Sequence, residues 1–226
     1  MKNQAKLLIA GLFIGGIFAI STTAHSAETT TGNVQYSAGS LLLDPQIQDD
    51  QGVLQPSLPT NLNFGSHPIQ SLKDETWIAT NDGTQDAANA TTGVIRVRDN
   101  RGTNAGWFLK VRQAKQFTEY CEDNSTNNLS TLTGAKLSFS VGNGTNNINS
   151  GFKGTNLNSF EFEDQETDII VLAADAGQGA GETSLPITKF ELTVPAEANR
   201  QNVRYVSTLN WTLSDTPTSN STGNPV

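Results

Sequence analysis

The stretch RYVSTLNWTLSDT, residues 204–216, decides the fold. Every second residue from Val203 gives Val203, Tyr205, Ser207, Leu209, Trp211 and Leu213, with Arg204, Val206, Thr208, Asn210, Thr212 and Ser214 between them. One set is mostly apolar and the other mostly polar. Side chains of a strand alternate between faces, so this is a half-buried β-strand, predicted over Val203–Ser214. Upstream, GWFLKVR (106–112) repeats the device: Trp107, Leu109 and Val111 on one face, Phe108, Lys110 and Arg112 on the other. A tryptophan displayed for a ligand usually stands among polar neighbours, whereas these two stand among apolar ones. Trp107, Leu109, Trp211 and Leu213 are therefore expected in the core, on adjacent or facing strands, with Trp107 beside a cation such as Arg96 or Arg101.

The rest of the chain follows the same grammar. Short alternating runs are separated by clusters of Asn, Thr, Ser and Gly, and helical periodicity is nearly absent. Further strands are expected at Gly39–Leu43, Leu62–Phe64, Trp77–Thr80, Gly93–Arg98 and Trp107–Gln113. Others fall at Ala135–Val141, Ser159–Glu163, Asp168–Ala173 and Phe190–Val194. The run Ile169–Leu172 is apolar at every position, which predicts a central strand covered on both faces. The sum is a single all-β domain over 37–216, an antiparallel β-sandwich or irregular barrel with Greek-key-like pairing and about ten strands.

Residues 1–27 have the build of a signal peptide: Lys2 and Lys6, an apolar run from Leu7 to Ile20, then small residues up to Ala27. Residues 28–36 form a lead-in, and 217–226 a disordered polar tail without a sorting motif. Without the two leader lysines, twelve basic residues face 22 acidic ones, a net of −10. That balance, with no basic stripe, argues against nucleic acid or an anionic membrane as partner. No membrane insertion is expected after cleavage. The single cysteine, Cys121, excludes an internal disulfide framework and leaves an idle or intermolecular thiol.

Little in the chain supports catalysis. The mature sequence holds one histidine, His67 beside Pro68, with no nucleophile motif near it. One His and one Cys cannot fill a zinc site, and no metal or other cofactor is expected. In FEFEDQETD (160–168) the glutamates alternate with phenylalanines, as on a solvated strand face. AGQGAG (176–181) lacks a following helix and the dinucleotide spacing, and is expected to be a flexible turn with unusual backbone angles. In VRDNRGTNAGW (97–107), Asp99 and Arg101 can pair and Gly102 permits a tight reversal, so these three are expected to fix a turn.

These segments together resemble one family, the WxL domain proteins of the Gram-positive cell surface. The resemblance is carried by GSLLLD (39–44), LNFGSHPI (62–69), VRDNRGTNAGWFLKV (97–111), LTGAKLSFS (132–140), VLAADAGQGAG (171–181), LTVPAEA (192–198) and YVSTLNWTLSDTP (205–217). Two Trp-x-Leu motifs in this order, the second close to the C-terminus, make it specific. It departs where Glu182 and Thr183 follow the glycine turn instead of aromatics, and where Asn202 stands in place of a glycine. The resemblance implies a secreted, non-enzymatic surface protein held non-covalently on the cell wall, with peptidoglycan as partner and other surface proteins as associates. The alternative is a scaffold or adhesin subunit that binds a sister wall protein or a host matrix protein. Sugar polymers are bound through exposed aromatics and amide or charged side chains, and the candidate aromatics outside the core faces are Trp77, Phe108 and Tyr120.

Overall fold

The structure, a computed structural model, describes residues 34–43, 46–48, 54–56, 58–122, 128–154, 158–162, 165 and 167–215, with only the backbone at 46–48 and 54–56. The expected leader and tail lie outside these residues. The chain divides into Met1–Tyr36 and Ser37–Val226. Of the first unit only Val34–Tyr36 are described, as exposed chain without regular structure. The second holds every described strand.

The described residues are all-β apart from a single 3₁₀ turn at Ala87–Asn89. The strands are β1 Leu41–Leu43, β2 Gln46–Gln48, β3 Leu54–Pro56, β4 Glu75–Ile78, β5 Gly93–Asp99, β6 Trp107–Gln113, β7 Thr118–Glu119 and β8 Lys136–Val141. They continue as β9 Thr145–Asn146, β10 Lys153–Gly154, β11 Ser159–Phe162, β12 Ile169–Ala174, β13 Gly181–Val194, β14 Tyr205–Val206 and β15 Leu209–Ser214. Every pairing is antiparallel. A large sheet runs β1-β5-β13-β8-β11, with β4 and β9 also on β13; a smaller one runs β10-β12-β6-β15; β14-β7 and β2-β3 are separate pairs. The sheets do not close into a barrel, and the sandwich expected from the sequence is the form observed. The strands exceed the expected ten because β7, β9, β10 and β14 are two residues long, too short to carry an alternation.

The spine of the large sheet is β13. Its first half pairs with β5 and β9, its second half with β8 and β4. The sequence alternation suggested only Phe190–Val194, and a proline within a central strand is unusual. Pro186 is accommodated by position. Its carbonyl accepts from Gly142 N at 2.9 Å, so its nitrogen faces the same side, at the gap between β9 and β8. The donor it lacks has no ladder partner there.

Three other expectations are corrected. The run Ile169–Leu172 is interior to the small sheet, but it is not covered on both faces, since Ile170 is 42% exposed. The register with β6 shifts between Ile170 and Leu172, and this bulge turns the consecutive Val171 and Leu172 both inward. Val203–Ser214 is not one strand. At Ser207–Thr208 the chain leaves β7 for β6, held by Ser207 Oγ donating to Lys115 O (2.6 Å) and by Ala114 N donating to Thr208 O (2.8 Å). Leu62–Phe64 forms no strand. Asn63 Oδ1 accepts from Gly65 N, and Gly65, at φ 89°, turns the chain away.

The two Trp-x-Leu motifs are neighbours. β6 and β15 pair with Leu109 opposite Leu213 and Val111 opposite Trp211. Trp107, Leu109 and Val111 are fully buried; Trp211 and Leu213 are half-buried and pack against the same core. Trp211 lies 5.9 Å from Phe139 of the large sheet, and Phe139 also contacts Phe160, Phe162 and Phe190. That aromatic cluster joins the sheets.

Trp107 has a polar partner rather than a cation. Its indole N–H donates to Gly179 O at 3.0 Å. The AGQGAG segment is thus a lid, not a loose turn. Gly179 N donates to Gly151 O (2.8 Å), Ala180 N to Ser150 Oγ (3.0 Å), and Asn146 Nδ2 to Ala180 O (2.9 Å). Gly179 sits at φ 76°, and a Cβ there would run into the indole nitrogen and Ala174. Beside it, Asp99 receives Arg101 Nε (2.9 Å), Nη2 (2.8 Å) and backbone N (3.1 Å), and Nη2 also donates to Gly106 O (2.9 Å). Gly102, at φ 71°, makes the reversal that follows. The Arg101 hydrogen bonds hold the Asp99 carboxyl below the usual aspartate range, against the opposing effect of burial.

Trp107→Ala should lower unfolding free energy by about 3–5 kcal/mol, as large-to-small core changes do; Trp211→Ala, already half-exposed, should cost less. Gly179→Ala should destabilise through the lid without altering the sheets, giving a lower urea midpoint with unchanged far-ultraviolet circular dichroism. Asp99 has a depressed folded pKa, so its stabilisation is complete above the unfolded value of about 3.9 and is lost as pH falls through the folded one. The urea midpoint should fall below about pH 4, and Asp99→Asn should flatten that part of the profile.

Candidate functional site

A groove of about 1450 Å³ opens where the inner face of the large sheet is flanked by non-sheet segments. Its floor is sheet core, including Leu137, Phe190 and Leu192. One wall is the irregular segment 58–69, the other the segment 200–209, and Trp211 closes the end nearest the small sheet. The volume exceeds the roughly 300–1,000 Å³ of small-molecule pockets and suits a length of polymer.

On β4, Glu75 and Trp77 point into the groove, opposite Val194 and Leu192 of β13. Trp77 stacks on His67, with ring centroids 3.4 Å apart and planes 6° from parallel. His67 is placed by a 2.6 Å contact between its Nε2 and Phe64 O. The loop after β4 is tied back by Gln85, whose side chain behaves like a peptide group. Its Oε1 accepts from Ile78 N (2.8 Å), while Nε2 donates to Ile78 O (2.9 Å) and Phe64 O (2.7 Å). Gln85 is held at φ 65° to do this.

The opposite wall is braced by Arg200, whose side chain is 9% exposed. Its guanidinium donates to the carbonyls of Gln70, Val194, Pro195 and Ala196 at 2.7–3.2 Å and stands 3.9 Å from Glu75. A buried guanidinium so fully engaged is a structural pin that joins segment 68–74 to the turn after β13. Tyr205 braces the same wall, its hydroxyl accepting from Gln201 N (2.9 Å) and bonding to Ser130 Oγ (2.9 Å).

Of the aromatics singled out by sequence, Trp77 lines the groove. Tyr120 stands outside its lining but beside its rim. Its backbone N–H donates to Arg204 O (2.8 Å), and the Arg204 guanidinium lies 4.9 Å from its ring centroid. Phe108 is elsewhere, on the outer face of the small sheet between Ala173 and Ser214. Cys121 is a half-buried free thiol. Among the described residues no three His, Cys, Asp or Glu side chains are grouped to hold a metal. The sequence reading missed Gln85, Arg200 and Arg204. Two arginines four apart, the only cations between Pro195 and Thr216, were the signal available for the second wall.

The walls thus offer stacked rings, amides, hydroxyls and one exposed guanidinium above an apolar floor. Comparison with curated proteins and with solved structures returned no match. A family profile, described as WxL domain surface cell wall-binding, matches residues 26–217, which includes both Trp-x-Leu strands and both walls of the groove. The chain belongs to the WxL family of surface cell wall-binding domains.

Proposed function

We propose that this cell-wall-associated domain is secreted and attaches non-covalently and without catalysis to peptidoglycan, and that the groove between segments 58–69 and 200–209 is where it does so. The observation that carries this reading is the Trp77–His67 stack set into a groove too large for a small ligand. Stacking covers one face of each ring and leaves an outer face of the stack as the flat surface against which a sugar face can lie, and the amides of Asn61, Asn63 and Gln201 around it suit hydroxyl and acetamido groups. The family's description as wall-binding supports the partner class. Of the two motif tryptophans, Trp107 contributes by building the core, where it is fully buried, while Trp211 lines the groove itself.

The purified chain, with no other protein present, should sediment with purified peptidoglycan and be released by a chaotropic salt without muralytic digestion. Retention through boiling detergent would show covalent attachment. Binding only to walls that retain their proteins would favour the scaffold or adhesin reading instead. Trp77→Ala should weaken peptidoglycan binding by about 3- to 10-fold, from the loss of an aromatic contact. Thermal melting alongside separates lost contact from lost fold.

A further inference from the structure

Of the twelve lysines and arginines among the described residues, nine make an ion pair with a carboxylate: Arg96, Arg98, Arg101, Lys110, Arg112, Lys136, Lys153, Lys189 and Arg200. Lys73, Lys115 and Arg204 do not. In a chain whose acids outnumber its bases, a cation left without a carboxylate is informative. Only Arg204 of these three lines the groove.

Arg204 is also held in place. It sits one residue beyond the β14–β7 ladder, with its carbonyl bonded to Tyr120 N (2.8 Å) and its guanidinium over the Tyr120 ring. The cation–π contact fixes the place of the guanidinium without supplying an anion, so its charge is left for a carboxylate, which a guanidinium can receive in a fork. Both side chains are exposed, so Tyr120 orients the cation without desolvating it. The other groove arginine cannot serve, because Arg200 spends its donors on four backbone carbonyls. The floor is apolar and the stack lies on the first wall, so the groove has a ring platform on one side and an anion receptor at the rim of the other.

Resting on the peptidoglycan reading above, we infer that Arg204, oriented by Tyr120, is a specificity residue that binds a carboxylate of the peptide stems of peptidoglycan, so that the groove recognises glycan and stem together rather than bare glycan. A glycan backbone of neutral acetamido sugars would give this guanidinium no charged partner. The stems, with their free carboxylates, do.

The test measures binding of the full chain to three preparations: intact peptidoglycan, peptidoglycan whose carboxylates are amidated with carbodiimide and ammonia, and glycan strands stripped of stems by an amidase whose newly freed lactyl carboxylates are then amidated in the same way. The parent should bind intact peptidoglycan at least about tenfold more tightly than either treated form, the difference expected for one charge-assisted pair, and should lose that margin in high salt. Arg204→Gln should bind intact peptidoglycan about tenfold more weakly and be indifferent to amidation, with an unchanged melting temperature because the side chain is exposed. Tyr120→Leu, which keeps the charge but frees it, should fall between. If Arg204→Gln binds intact peptidoglycan like the parent, or if amidation leaves parent binding unchanged, the carboxylate inference is overturned while wall binding through the groove stands. If the parent fails to bind intact peptidoglycan at all, the functional reading falls and this inference with it.

Discussion

The burial of the Trp107 indole is the constraint to which the surrounding structure answers. An indole taken out of water must keep its N–H bonded, and the only acceptor supplied is the Gly179 carbonyl. For that carbonyl to reach it, the chain has to pass directly over the ring, which excludes a side chain at position 179. The same crowding governs the residue just before the ring. Gly106 is at φ 83°, and a Cβ there would stand 2.5 Å from Ala174 O. The Asp99–Arg101 clamp then holds Gly106 through its own carbonyl. A motif of three residues is thus tied to a glycine beside it, an ion pair a few residues upstream and a second glycine more than seventy positions away.

Core and site share one face of the large sheet and use different stretches of it. The inner face of the large sheet is covered by the small sheet through the Phe139–Trp211 contact, and continues into the floor of the groove through Leu137, Phe190 and Leu192. The groove therefore has a floor made of long strands and walls made largely of irregular chain, the short strand β14 aside. Such walls can change in sequence without disturbing the ladder beneath them. What rigidity they have comes from side chains that stand in for backbone: Gln85 against Ile78, Arg200 against four carbonyls, and Tyr205 against Gln201.

The sequence made the strands with full alternation legible: Trp107–Gln113, Gly93–Arg98, Lys136–Val141 and the outer half of 203–214. Their side chains obey a period of two because one face is dry. Where pairing changes along a strand, periodicity carries no notice of it. The break at Ser207–Thr208, the bulge at Ile170–Leu172 and the long reach of β13 past Pro186 each depend on what a partner strand does. The site was less legible for the same reason. Trp77 could be singled out as an aromatic outside the paired motifs, but its stacking on His67 joins β4 to an irregular segment. The meeting of Arg204 and Tyr120 depends on a two-residue ladder that leaves no pattern.

The partner exchange along β13 also sets an order of events. Gly181–Ile187 pairs with Gly93–Asp99, more than eighty positions earlier, and Thr193 pairs with Lys136 and Thr76. The template that β4, β5 and β8 share is therefore the second-to-last long strand to emerge from a ribosome or a translocation channel. Until it arrives, the first three-quarters of the domain has strands but no central strand to organise them, and the entropy of closing those loops has not been recovered. Folding is thereby deferred to near the completion of the chain. A polypeptide built this way becomes compact only once nearly all of it has been made.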